Sequence, residues 1–514
     1  MSRNIYWGDS HCNIRSWHMD RIDEVFDEAA HILDFFPVAY YPFAHEDVNG
    51  LQLETWGQRP EFLPEWEKLC DAVRRHNRPG EFVTFPGYEW HGDRTRWGDH
   101  NVFFNSDAGP LLDTADAADL FVQIKKLGGI AVPHHTAYRI GSRGKDWSVF
   151  DEDAVPFAEI YSGHGNSEAI GVWPEMKRNT SMGPRVSGGT VQDGLAKGLR
   201  VGIIASNESH SGFPARWGSG LMAAAADDLT REGLWEAFMA RRVYGVTGDR
   251  IGLEFSANGH EMGERFGTAG PVELTVKVDC CAALDRVEIL RNNRVMSTHC
   301  HKGTWRAPGS GRARAKVRVT GTGGPSGYVG FDDTEDRVLP VSFSVPGGRV
   351  ISAEPCFTVP GCRIGEAGGE RLDLELRLIA RREFNTVNAQ SVVVEFEADC
   401  SRALKLEAAG ESIEIPVADA MERTALLPLV DESRERIWKR FDCTDEQIHN
   451  KDVYYAHAYK VLLGRADPEA AFAAEVSAVD DAPEPGLNWY YVRVTQENGQ
   501  MAWSSPIWVD SGRR

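Results

Sequence analysis

Histidines and carboxylates gather within the first 210 residues of this 514-residue chain, at places where short apolar runs end. The run 5–7 leads into Gly8, Asp9, Ser10, His11, Cys12 and Asn13. The run 82–85 leads into Gly87, Tyr88, Glu89 and Trp90, and one loop later come Gly98, Asp99, His100 and Asn101. The run 129–133 is followed by His134 and His135. The run 158–161 contains Glu159 and continues to His164, and the run 201–205 is followed by Glu208 and His210. One such histidine reads as an ordinary loop residue. Five strand ends carrying histidine or glutamate argue for a shared task, because imidazoles and carboxylates brought to one face must share cations or stay unsatisfied and mutually repulsive. Nitrogen and oxygen donors without thiolate suit Zn, Mn or Fe(II). Cys12, the thiol nearby, reads as packing, with a ligand role as the alternative.

The elements that must position these residues alternate in kind up to about residue 250. Apolar runs at 5–7, 36–41, 82–85, 129–133, 158–161 and 201–205 predict buried strands, and helical apolar spacing covers 22–33, 65–76, 115–127 and 230–241. Strands alternating with helices imply parallel βα units, hence an open α/β sheet or a barrel, and in a βα barrel the ends of the strands carry the chemistry. Beyond residue 250 the pattern changes to strands at 272–278, 285–290, 315–320, 372–379, 391–396 and 488–495, punctuated by Gly, Pro and Asn, with one helical patch at 431–440. That is the pattern of β-sandwich modules. The expected division is 1–250 as a metal-binding α/β barrel, 251–304 with 455–514 as a β-sandwich domain, and 305–454 as an inserted β-rich domain.

A formal net charge of −20 makes nucleic acid and anionic membrane poor partners. The amino terminus lacks the apolar core of a secretion signal, and no stretch approaches the roughly 20 apolar residues of a membrane span. Nine scattered cysteines without a repeated CxxC fit buried thiols in a reducing compartment, so a cytoplasmic location is expected. Neither a GxxxxGK[ST] phosphate loop nor a GxSxG nucleophile elbow is present. A homo-oligomer is compatible with all of this.

Several phrases together resemble the polymerase-and-histidinol-phosphatase (PHP) superfamily of metal-dependent hydrolases, in its DUF3604 branch. They are Ile5, Tyr6, Trp7, Gly8, Asp9; Leu33, Asp34, Phe35, Phe36; Gly87, Tyr88, Glu89; Ile130 to Thr136; and Glu159 to Glu168. Near the other end, Trp489 to Val494 and Ala502 to Ile507 match as well. The resemblance implies a distorted (β/α)7 barrel holding up to three metals. In its His-x-His motif His11 fits, while Asn13 stands where the family has the second His. The strand that should end in a His offers Tyr41 and Pro42, with His45 as a substitute nearby. Glu89 matches the bridging Glu, His100 and His134 the following ligands, and Glu208 with His210 the closing Asp-x-His. Glu89, His100 and His134 are expected to hold one cation, and His11, Glu89, Glu208 and Asn13 a second. The third position, which needs His210 and the missing His, is expected to be lost or rebuilt.

A hydrolase using hydroxide on one or two such ions is the expected activity. Arg94, Arg96, Arg139, Arg143, Lys145 and Arg216 in the same loops point to a small anionic substrate, a phosphoester or sulfate ester. Tyr138, Arg139 and Arg143 are the expected substrate contacts. His135 and His164 are expected to protonate the leaving oxygen, and Glu208 joins them as a catalytic group. Trp90, Trp97, Trp147 and Trp217 could line an aromatic pocket or pack. Two other functions fit the same residues: metal-dependent hydrolysis of a carboxylic ester, lactone or amide, and a degenerate binding protein without catalysis.

Overall fold

Strands that are apolar on both faces must lie between two layers, and the first half of the chain is built from such strands. The structure, a computed structural model, describes residues 3–56, 61–176, 182–323, 336–379 and 388–512. Ten strands matter for the site: β1 (Asn4–Gly8), β2 (Phe35–Pro37), β3 (Val83–Phe85), β4 (Gly87–Trp90), β5 (His100–Phe104), β6 (Gly129–Pro133), β7 (Phe157–Ser162), β8 (Gly202–Ala205), β9 (Leu221–Ala226) and β10 (Val243–Val246). Strands β2 to β8 are buried along their whole length.

Helices lie between them where the apolar spacing places them. They are α1 (Ile22–Ala30), α2 (Phe62–His76), α3 (Ala117–Lys126), α4 (Val191–Ala196) and α5 (Arg231–Met239). Three of the starts have a local cause. Asp116 accepts from the backbone N–H groups of Ala118 and Asp119, and Thr230 accepts from that of Gly233. Thr190 and Asp193 form a reciprocal capping box at α4. In α3 the buried positions Ala117, Leu120, Phe121 and Ile124 form one stripe at helical spacing.

The sheets depart from a uniformly parallel barrel. Strands β1, β2 and β3 are parallel, as are Asn13–Ile14, Ala39–Tyr40 and β4, and so are β7 and β8. But β4, β5 and β6 run antiparallel, and β9 runs antiparallel to β1. The link at 91–99 between β4 and β5 is shorter than the dozen or more residues a parallel crossover needs, so this pair folds back as a hairpin. Among the described residues β6 and β7 belong to different sheets, as do β8 and β10, so no hydrogen-bonded ring closes. Strands outnumber helices in this region, contrary to a strict one-to-one alternation. Phe35, Phe85, Phe103, Val132, Phe157, Ile204 and Met222 from the strands pack with Leu234 and Phe238 of α5 in one core.

By contact pattern the chain forms two compact units. One comprises 1–280, 285–300 and 474–514, and the other 281–284 and 301–473. In the first unit, Met501–Ser504 pairs with β10, and Gly486–Gln496 and Ile507–Ser511 follow in the same sheet. Tyr491, Trp503 and Trp508 pack with Ile160, Tyr161 and Ile203 in a second core. The carboxylate of Glu168, fully buried, accepts from Tyr491 Oη at 2.8 Å, Trp503 Nε1 at 2.9 Å and Arg493 Nη1 at 3.1 Å. The second unit has a five-stranded sheet around Asp336–Ser344 and Arg371–Ile379 and a six-stranded sheet around Arg312–Gly323 and Asn388–Asp399. Phe343 and Phe396, one from each sheet, meet at 6.0 Å between ring centroids. The helix Val430–Phe441 stands where 431–440 predicts one. Among the described residues no helix is long and apolar enough to cross a membrane.

Candidate metal centre

The hairpin of β4 and β5 decides which side chains enter the site. Its register pairs Glu89 with Asn101 and Trp90 with His100. Residues directly opposite share a face and successive residues alternate, so Glu89 and Asn101 point one way and Trp90 and His100 the other. His100 accordingly packs 5.6 Å from the Trp90 ring and 5.8 Å from Phe121, and its Nδ1 donates to the carbonyl of Gly98 at 3.2 Å. The expected trio of Glu89, His100 and His134 is therefore split, with Glu89 and His134 together and His100 behind the strand. Asp99, one residue earlier, is turned to the Glu89 side. Gly98 permits this turn: its φ is +76°, and a Cβ there would stand 2.8 Å from the carbonyl oxygen of Arg143.

The side chains that do converge form a ring of buried imidazoles and carboxylates. Three donor sets are His11 with Glu89 and His134, Glu89 with His91 and Asp99, and Asp99 with His134 and His135. Two more are His135 with His164 and Glu208, and His11 with Glu159 and Glu208. In each set the donor atoms lie within 4.8 Å of one another. His11 Nε2 is 3.7 Å from Glu89 Oε2, and His134 Nε2 is 3.6 Å from Glu89 Oε1. His11 Nδ1 donates to Glu159 Oε2 at 2.9 Å, which turns Nε2 toward Glu89. Ser206 Oγ donates to the same Glu159 oxygen, and Ser162 Oγ donates to Glu208 Oε2 at 2.8 Å. Asp9 accepts from the N–H groups of His11, Asn207 and Ala215 and so ties three segments around the site.

Two of these residues sit on strained backbone. His135 has φ +34° and Glu208 has φ +53°. For residues with a Cβ such conformations cost about 1–3 kcal/mol each and persist where the surroundings over-determine them.

Burial and charge pull in opposite directions throughout the ring. Burial would push the carboxyls of Glu89, Asp99 and Glu208 up. The imidazoles of His91, His11 and His134 around Glu89, His91 and Arg94 around Asp99, and His164 and His135 around Glu208 instead hold all three below their ordinary range. Burial lowers His135, and the neighbouring His134 lowers it further. Burial also disfavours charge on His11, but Glu159 and Glu89 outweigh it and raise its pKa.

The remaining expected site residues are placed as follows. Asn13 and His210 lie together at one side, with Asn13 Nδ2 3.4 Å from His210 Nδ1, and His210 joins none of the donor sets. His45 is exposed on the hairpin of Phe43–Val48 and Leu51–Trp56, and Cys12 is buried outside every donor set. Tyr138 Oη pairs with His164 Nδ1 at 2.6 Å. Arg143 reaches Asp99, Nη1 to Oδ2 at 3.7 Å, whereas Arg139, Arg96 and Arg216 are exposed. Lys145 turns inward. Its Nζ donates to the carbonyl of Val149, it faces Phe121, and burial pushes its pKa down to about 7. The indoles of Trp90, Trp147 and Trp217 are committed to Thr114, Gly189 and Asp249, so these rings pack.

Sequence reasoning missed His91 and gave Asp99 no role of its own. Asp99 does take Arg94 in a two-pronged pair at 3.1 and 3.0 Å while also facing His91 and His135. It also missed Arg15, whose guanidinium lies 4.1 Å from the Tyr41 ring and 3.2 Å from His210 Nδ1. Alternation from Glu89 along the hairpin would have pointed to Asp99, had the register been known.

No family model matches the chain. It is similar to an uncharacterized protein of Chlamydia pneumoniae, 28% identical over 255 residues, which is 45% of this chain and 40% of that protein. An uncharacterized protein of Chlamydia trachomatis serovar D is 27% identical over 187 residues, 33% of this chain and 29% of that protein. The chain thus spans less than half the length of these curated relatives. The crystal structure of a two-domain protein from Bacteroides vulgatus, containing a predicted PHP-like metal-dependent phosphoesterase, aligns with 80% of this chain and 95% of its own. Its TM-score is 0.31 at 13% identity, a likeness too low to bear on fold or activity.

Proposed function

We propose that the chain is a divalent-metal-dependent hydrolase of PHP-like type, acting on an anionic ester such as a phosphoester or sulfate ester. One observation carries this reading. Both ring nitrogens of His134 and Nε2 of His11 are buried without a hydrogen-bond partner, and they stand beside carboxylates. Buried polar atoms are nearly always paired, and the partner that suits imidazole lone pairs and carboxylates together is a cation. The residues present therefore fit a divalent ion. His11, Glu89 and His134 would hold it, with His91 and Asp99 adjoining.

When bound, such an ion supplies a water of lowered pKa and polarises the oxygen of the group under attack. The chain's own residues do the positioning. Glu159 fixes the tautomer of His11, and Ser206 holds Glu159. Arg94 clamps Asp99, and Arg143, half-buried at its rim, is placed to meet the unreacting oxygens of an anion.

A second reading, hydrolysis of a neutral carboxylic ester, lactone or amide, is favoured by a different observation. Of the loop cations expected at the site, only Arg94 and Arg143 reach it, and both already lean on Asp99. A matched panel of aryl phosphate, aryl sulfate and aryl carboxylate esters separates the two. The full chain, purified after growth with zinc and manganese, is expected to carry metal and to prefer the anionic esters. Glu89→Gln is expected to lose metal and to bring turnover to background. A metal-free wild type, or a fully active Glu89→Gln, would sink the metal-dependent reading. Preference for the neutral ester would move the assignment to the second one.

A further inference from the structure

We propose that His135, His164 and Glu208 form a second divalent-cation position, one that the PHP resemblance does not assign to these three residues together. It rests on the metal-dependent reading of the pocket but uses the far side of the ring from Glu89. The three donor atoms lie within 4.8 Å of one another and all three residues are buried. Glu208 Oε1 touches His164 Nε2 and lies 3.9 Å from His135 Nε2.

The residues behind the donors aim them as ligands are aimed. Ser162 Oγ holds the other oxygen of Glu208 and also accepts from the N–H of His164. Tyr138 Oη engages Nδ1 of His164, which fixes the ring and leaves Nε2 as the nitrogen facing the pocket.

Charge points the same way. Glu89, Asp99, Glu159 and Glu208 are all buried in this pocket. Among the described residues, Glu159 and Glu208 have no lysine or arginine partner and are met by imidazoles and serine hydroxyls. Buried carboxylates need a compensating cation close by. Nε2 of His135 faces this side, 3.9 Å from Glu208 Oε1 and 3.5 Å from Asp99 Oδ2. His135 and Glu208 are also the two ring residues held at positive φ, so the backbone is bent to bring this set together.

The test is metal content of the full chain after removal of metal and titration with Mn²⁺, read for wild type, His164→Gln and Glu89→Gln, with anomalous diffraction at the manganese edge on wild-type crystals. Two ions per chain are expected in wild type, one of them lost in His164→Gln and the other in Glu89→Gln. An anomalous peak bounded by His135, His164 and Glu208 is expected, and it needs no variant to fold. Tyr138→Phe, a milder change, is expected to weaken one of the two binding events by roughly 10–100-fold. If wild type binds one ion that Glu89→Gln removes and His164→Gln keeps, this second position is wrong and the primary one stands. Two ions retained by His164→Gln, or a second anomalous peak elsewhere, would also overturn it. If wild type binds none, the metal-dependent reading falls and this inference with it.

Discussion

The interior of the N-terminal strands and the interior of the second unit's sandwich are both buried, yet they are buried for different ends. In the strand Arg371–Ile379 the buried positions are Leu372, Leu374, Leu376, Leu378 and Ile379, and charged residues fill most of the outward ones. In β4 and β6 every position is buried, and the polar groups Glu89, His134 and His135 lie at or just past the strand ends. A sandwich strand spends alternate residues on solvent. A strand covered on both faces has no outward side, so a carboxylate there must have another partner. The contrast separates residues kept for packing from residues kept at a cost for chemistry.

That contrast can be broken most sharply at Leu376, which is fully buried. Leu376→Ala is expected to cost about 2–5 kcal/mol, the usual range for truncating a leucine in a core. A thermal melt should show the loss, while metal content per chain should stay unchanged. A parallel fall in metal content would mean that the two interiors do not serve separate ends.

Lys145 sharpens the comparison from the other side, as a charge buried without any chemistry to justify it. Its pKa is pushed down to about 7 by burial, against an ordinary value of about 10.4 in the unfolded chain. Between those values the unfolded chain holds a proton that the native one lacks, so this group makes stability rise with pH from about 7 to about 10.4. Below pH 7 its cost is present in full. Lys145→Met is therefore expected to stabilise the protein more at pH 6 than at pH 9, the two gains differing by about 3 kcal/mol. Denaturant melts of variant and wild type at both values check it, and an equal gain at both would contradict the assignment.

The smallest effects belong at the rim. Arg143→Ala is expected to raise KM for an anionic ester by about 10-fold, about 1.4 kcal/mol of uniform binding. Arg139→Ala, at an exposed side chain, should change it less than 2-fold, within what a surface substitution away from the site costs. Equal losses in both variants would put the anion outside the ring.

How much of this was legible in the sequence follows from the same geometry. The helices near 22–33, 65–76, 115–127 and 230–241 could be read because their apolar spacing is a local property. The strand ends at His11, Glu89, His134 and Glu208 could be read because chemistry-bearing residues cluster just past apolar runs. The facing of His100 could not be read because it depends on hairpin register, which local pattern does not carry, and a shift of one residue exchanges His100 for Asp99. Lys145 counts as a loop cation until the fold shows that its stem and its ammonium both enter the core. Uniformly parallel pairing ends at the link 91–99, whose nine residues are too few for a parallel crossover.

The pairing of β10 with Met501–Ser504 bears on the order in which the molecule can be made. Thr247 and its partner Gln500 are separated by 253 residues. At about 5–20 residues per second, ribosomal synthesis leaves the edge of β10 waiting on the order of tens of seconds for the strand that covers it. During that interval the nascent chain presents an unpaired backbone edge beside apolar side chains such as Val243 and Val246, the kind of surface on which chains pair wrongly. Glu168 waits as well, its arginine partner lying 325 residues downstream. The N-terminal region can gather its own core early, yet it reaches its final form only after the second unit has been synthesised.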